Sequence, residues 1–153
     1  SVSQTTSIID NMLSLNNILA GKRHEVFRYT IMTKLTSQQI LPTGFPKTNI
    51  YAYSGDCSDS LTGEFLGEVA SWPGPAILVR QGSKVEIVWR NGLTGKHMFA
   101  IEKNLNFMTT GLDFNSFIPN VAHIHGMSNP SQADGMPEAW FTNEGRQGAD
   151  YYT

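Results

Sequence analysis

Two histidines stand two residues apart in Val121-Ala-His-Ile-His-Gly126, and an acidic turn follows in Asp134-Gly-Met-Pro-Glu-Ala-Trp-Phe141. Histidine is the commonest side-chain metal ligand, and neutral imidazole suits copper, zinc, iron and nickel. In an extended strand alternate side chains share a face, so His123 and His125 are expected to project together. At a rise of about 3.3 Å per residue their Cα atoms lie roughly 6.6 Å apart, and the rings can converge on one ion or serve two neighbouring ions. Asp134-Gly135 is an ordinary turn dipeptide as well as a carboxylate close in sequence to the pair. Taken alone, a His-x-His is as readily a pair of structural histidines on a strand as a metal site.

The elements expected to position these residues are strands. Val26–Thr33, Thr48–Tyr53, Ala76–Val79, Lys84–Arg90 and Val121–His125 are short and rich in β-branched and aromatic residues, and turn signals separate them. Gln81-Gly-Ser83 and Asn91-Gly92 read as turns. Residues 93–119 read as a long inserted loop with one short helix. Ile8, Ile9, Met12, Leu13, Leu15, Ile18 and Leu19 recur at roughly helical spacing, so residues 1–21 are expected to form an arm or short surface helix. Residues 22–153 are then one β-sandwich or barrel with Greek-key-like spacing.

Composition narrows the function classes. The chain has 153 residues, 40% hydrophobic and 16% charged, which suits one globular domain. A formal net charge of −2 without a basic run points away from nucleic acid. No apolar run is long enough for a membrane span. Cys57 is the only cysteine, so the chain has no internal disulfide. His24 and His97 read as surface histidines. The six methionines are dispersed and read as core packing rather than a soft-metal surface. Trp72-Pro-Gly-Pro75 reads as a rigid structural turn, and Glu138, Trp140 and Phe141 as anchors holding the acidic loop against the sheet.

Three segments in order carry a resemblance: Trp72-Pro-Gly-Pro-Ala-Ile77, Gly82-Ser-Lys-Val-Glu-Ile-Val-Trp-Arg-Asn91 and His123-Ile-His-Gly126. With Ser131-Gln-Ala-Asp-Gly-Met-Pro-Glu-Ala-Trp-Phe141 and Gly148-Ala-Asp-Tyr-Tyr152, they resemble the first cupredoxin domain of the multicopper oxidases. The branch that fits best holds spore-coat laccases, bilirubin oxidases and phenoxazinone synthase. The resemblance covers roughly residues 24–153 and implies an all-β, cupredoxin-like Greek-key sandwich or barrel. It further implies electron transfer from small phenolic, aminophenolic or tetrapyrrole substrates to O2 through copper. His123 would bind the type 2 copper and His125 a type 3 copper. Asp134 would serve near the trinuclear cluster as the group that orients water and relays protons. The branch also implies an extracellular, cell-surface or spore-coat location.

The chain departs from that family in what it lacks. The family's cluster uses several His-x-His pairs, and no histidine follows His125 here. Cys57, in Gly-Asp-Cys-Ser-Asp, has no flanking histidine and is not the blue-copper cysteine. The cupredoxin domain is therefore expected to be incomplete at its C-terminal end. Its partners would be the remaining chains or segments of the same oxidase, and this chain alone would be inactive. The competing expectations are a non-catalytic cupredoxin-like module that builds a coat or binds a partner, and a zinc site with Asp134 as third ligand.

Overall fold

The computed structural model describes residues 13–15, 26–59, 62–79, 81–102 and 113–148. Its strands are β1 (Leu13–Leu15), β2 (Val26–Gln38), β3 (Thr48–Asp59), β4 (Phe65–Ser71) and β5 (Lys84–Asn91), joined in a single sheet. The architecture is all-β, as a piece of a cupredoxin-like β-sandwich should be. Among the described residues no helix is long and apolar enough to cross a membrane. The chain divides into two compact units, Ser1–Trp89 and Arg90–Thr153.

In the first unit, β3 is the central strand. Tyr53 and Ser54 pair with both β2 and β4, whereas Cys57 and Ser58 pair with both β1 and β4. It follows that β1 and β2 share one edge of β3 and β4 takes the other, all antiparallel. β5 lies on the far side of β2. The period-2 pattern of β2 explains its burial: Phe27, Tyr29, Ile31 and Thr33 are buried, with Arg28 and Thr30 exposed between them. Phe27, Tyr29, Ile31 and Cys57 form the core, and Val69, Ile77, Val85, Ile87 and Trp89 pack against it.

Cys57 is fully buried, its Sγ lies 3.2 Å from the Gly55 carbonyl, and burial pushes its thiol above the ordinary value. A thiol so placed is a small apolar core residue. Across three strands, Lys34 on β2 pairs with Glu68 on β4 (2.5 Å), and Glu68 lies 3.1 Å from the buried Ser54 hydroxyl on β3. The Lys34 hydrogen bond holds the Glu68 carboxyl below the usual carboxylate range.

The structure alters several expected elements. The helical spacing around Leu13 and Leu15 does not yield a helix there: Leu13–Leu15 pairs with Asp59–Cys57 as a strand. The rest of the expected arm lies outside the described residues. A sheet edge offers main-chain partners that three isolated residues of helical pattern cannot match. Ala76–Val79 forms no strand of the sheet, although Ile77 still packs on the core. The short helix expected between residues 93 and 119 is represented among the described residues by one turn, where the Ser116 and Phe117 N–H groups reach the Asp113 carbonyl at 3.0 and 2.9 Å.

β4 went unread because Gly67 interrupts it. Cys57 pairs with Gly67 and Ser58 with Phe65, which leaves Leu66 as the extra residue of a bulge. Gly67 sits there at φ 74°, a conformation glycine adopts without steric cost. Finally, Trp72-Pro-Gly-Pro75 is a turn as expected. The Gln38 side-chain amide donates to the Trp72 carbonyl (2.6 Å) and accepts from the Trp72 N–H (2.8 Å).

The Tyr29 hydroxyl is buried in the core without a hydrogen-bond partner. Removing an unpartnered buried hydroxyl forfeits no bond and relieves a desolvation cost. Tyr29→Phe is therefore expected to leave stability unchanged or raise it by up to about 1 kcal/mol, as read from urea or thermal unfolding. A loss of more than that would show that the hydroxyl does find a partner.

Candidate metal centre

The second unit holds the histidine pair. Val121–His125 is not the strand that alternation suggested. Asn120 pairs with Phe141 through two main-chain hydrogen bonds, N–H to O of 3.0 Å and the reciprocal bond of 2.9 Å. Beyond Asn120 the ladder stops. The loop from Asp134 crosses this segment instead: a Cβ on Gly135 would lie 2.6 Å from the Ala122 carbonyl and 2.7 Å from His123 Cβ. Gly135 also has φ 77°. Only glycine permits both this backbone angle and this approach. At the other end, the Met127 N–H bends back to the Ile124 carbonyl (3.4 Å), with Gly126 at φ 72° in the position of that turn that needs a positive angle.

Without a ladder the two imidazoles still come together. Their ring centroids are 4.7 Å apart and the planes meet edge-on at 75°. Both residues are exposed. His123 Nδ1 lies 2.7 Å from the Asp134 main-chain carbonyl. A carbonyl oxygen can only accept, so Nδ1 carries the proton. The neutral ring then presents the lone pair of Nε2, the tautomer in which a histidine ligates a metal while its other nitrogen is held by an outer partner.

Asp134 contributes its side chain at the same place. Its Oδ1 lies 3.0 Å from His123 Nδ1, yet this buried oxygen has no hydrogen bond, because the Nδ1 proton is aimed at the main-chain carbonyl. The carboxylate is thus a close electrostatic neighbour of the ring, on its Nδ1 side. It does not converge with Nε2, which argues against Asp134 as a third zinc ligand beside His123. Among the described residues no group of three or more His, Cys, Asp or Glu side chains is placed to hold a metal ion. The residues fit a copper centre as one part of its ligand set: two exposed imidazoles, one with its tautomer fixed.

The Asp134 loop is itself well tied. Ala133 N–H reaches Pro130 O (2.9 Å) and Asp134 N–H reaches Ser131 O (3.2 Å), closing a 3-10 turn at Ser131–Ala133. Asn129 Nδ2 donates to Ala133 O at 2.9 Å. Asn129 Oδ1 and Glu138 Oε2 are buried without partners. The tail after the loop works through its main chain. Trp140 O accepts from Gly148 N–H and Thr142 N–H donates to Arg146 O, both at 2.8 Å. Gly148 is packed so tightly against Glu138 O and the Trp140 indole that a side chain would overlap both. Arg146 caps this hairpin by lying 4.5 Å over the Phe117 ring.

His97 differs from His123: its Nδ1 lies 3.1 Å from both the Phe99 N–H and the Phe99 carbonyl, a donor and an acceptor at the same distance. His24 lies outside the described residues. The residue that sequence reasoning missed is Asn91, taken only as half of a turn signal. It is buried, its Nδ2 donates to Ile118 O (2.8 Å) and Phe141 O (2.9 Å), and its Oδ1 accepts from Leu93 N–H (2.9 Å). An asparagine ending the strand, at a position that is buried, left no distinct signal in the sequence.

Gly135→Ala should force the left-handed backbone and the close approach apart. The expected result is a loss of about 1–3 kcal/mol and disappearance of the His123–His125 ring contact in nuclear Overhauser spectra. Unchanged stability with the contact intact would contradict the packing described.

No protein-family model matches the chain. Among curated proteins, it is 26% identical over 139 residues to a laccase of Bacillus subtilis (strain 168), covering 91% of this chain and 23% of that protein. It is 29% identical over 99 residues to a laccase of Bacillus stratosphericus, 65% of this chain and 16% of that protein. To multicopper oxidase LPR1 homolog 5 of Oryza sativa subsp. japonica it is 30% identical over 86 residues, 56% of this chain and 13% of that protein. The matched stretches are thus under a quarter of the length of these relatives.

Proposed function

We propose that this chain, related by sequence to the multicopper oxidases, supplies two imidazole ligands to the copper cluster of a laccase-like oxidase. The single observation that carries this reading is the fixed His123 tautomer, with the His125 ring 4.7 Å away. His123 would hold the type 2 copper and His125 a type 3 copper, and the remaining ligands would come from other parts of the same oxidase. Copper, when bound, would supply the one-electron chemistry that couples oxidation of a small phenolic, aminophenolic or tetrapyrrole substrate to reduction of O2 to water.

The chain's own residues would orient and protonate. The Asp134 carbonyl keeps His123 Nδ1 protonated and the ring turned, so Nε2 needs no reorganisation to bind. O2 reduction consumes protons. Asp134 Oδ1, buried beside the His123 ring and lacking a donor, is an acceptor at which a proton can be held. The side chain and the main chain of one residue would then do separate work, one on the proton and the other on the ligand.

In the full-length oxidase, His123→Ala and His125→Ala should each lower bound copper per folded molecule, measured by elemental analysis, and abolish O2 uptake. Full copper content and activity in both variants would refute the reading. Asp134→Asn keeps the main-chain carbonyl and so should retain copper, while slowing O2 reduction by about 10²-fold or more. An Asp134→Asn enzyme turning over at the wild-type rate would remove the carboxylate from the proton path.

A further inference from the structure

We infer that Asn91 is a positioning residue for the His123 ligand, acting through the main chain of the loop rather than by contact with the ring. The inference rests on the copper-ligand reading above and extends it to a residue some thirty positions earlier in the chain. The Asn91 side chain is buried, and three of the four hydrogen-bonding positions of its amide are used on main-chain groups. Both Nδ2 protons are spent, on Ile118 O and Phe141 O. Phe141 O belongs to the Asn120–Phe141 bridge, from which the histidine segment departs, and Ile118 lies two residues before that bridge. Among the described residues no ladder continues past Asn120, so no strand pairing there sets where residues 121–123 begin. The amide sets it.

The chain of contacts is short. Asn91 fixes Ile118 and Phe141. Phe141 fixes Asn120 through two hydrogen bonds. Three residues on, His123 must meet the Asp134 carbonyl at 2.7 Å for its Nδ1 proton to be held. A shift of a few tenths of an ångström at Asn120 is carried directly to that bond, because Gly135 leaves no slack against Ala122 and His123. Hydrogen bonds weaken steeply as they lengthen or bend. Loss of the amide should therefore be read first as loss of the His123 tautomer and only afterwards as loss of metal.

The test uses the full-length oxidase carrying this chain, both as isolated and after removal of copper with a chelator. Asn91→Ala deletes the amide. Asn91→Asp keeps its size and the acceptor for Leu93, but turns an oxygen toward the Ile118 and Phe141 carbonyls, and it serves if the alanine variant does not fold. Leu93→Ala is the control, since it removes a buried side chain (3% exposed) in the same unit while keeping the main-chain N–H that donates to the Asn91 amide. In copper-free wild type, nitrogen-15 spectra of the imidazoles should show His123 protonated at Nδ1, with slow exchange of that proton.

Either Asn91 variant should speed that exchange at least tenfold and lower copper per folded molecule at least twofold. Leu93→Ala should keep both at wild-type values, even with an equal or larger fall in melting temperature. The inference is overturned if an Asn91 variant retains the wild-type ring exchange, or if Leu93→Ala loses it equally. If wild type proves to hold no copper while the ring signature still depends on Asn91, the positioning role stands and the copper reading falls.

Discussion

One carbonyl oxygen, that of Phe141, accepts both the Asn120 N–H (3.0 Å) and the Asn91 side-chain amide (2.9 Å). Both of its lone pairs are used, and the reciprocal Phe141 N–H to Asn120 bond completes the junction. Backbone that leaves a sheet must satisfy its polar groups elsewhere, and each group left buried without a partner costs about 1–3 kcal/mol. In the second unit that demand is met by side-chain amides and tight turns. Asn91 serves Ile118, Phe141 and Leu93, and Asn129 serves Ala133. The histidine segment has a defined starting point for this reason, although it belongs to no strand.

From that junction the path to a usable ligand is governed by glycine and by tautomer. Gly135 allows the acidic loop to lie directly on Ala122 and His123, which brings the Asp134 carbonyl to His123 Nδ1. That carbonyl oxygen is an acceptor, so the His123 proton sits on Nδ1 and the remaining ring nitrogen carries a lone pair. At His97 a main-chain donor and a main-chain acceptor lie equally close to Nδ1, and the ring is not set in the same way.

Much of the first unit was legible because period-2 alternation reports burial directly. The buried run of Phe27, Tyr29, Ile31 and Thr33 is visible as alternation in the sequence, and Lys84–Arg90 reads as a half-buried strand for the same reason. β4 was not legible because its bulge breaks the alternation at Gly67, and a glycine inside a short run reads as a turn. β1 was hidden by an apolar spacing that suits a helix as well as a strand edge. The histidine pair was found for a partly mistaken reason. Alternation predicted that the rings would share a face, and they do meet, yet among the described residues the segment has no strand neighbour. What gathers them is a loop whose contacts join residues 91, 120, 135 and 141. Separations of that kind leave no periodic trace in one sequence.

The electrostatic arrangement bears on how such a site could work. The two ring planes meet edge-on at 4.7 Å between centroids. Here the Nδ1 proton is committed to the Asp134 main chain and the side-chain oxygen stands aside from it at 3.0 Å. The negative charge can then support a cation held at the far nitrogen without competing to coordinate it. Two neutral nitrogen donors are fewer than a stable copper or zinc centre requires, since such sites generally take three or four protein ligands. On the copper reading, the exposure of both rings is the expected counterpart of that shortfall: the face left open is the one on which further ligands of the same oxidase must arrive.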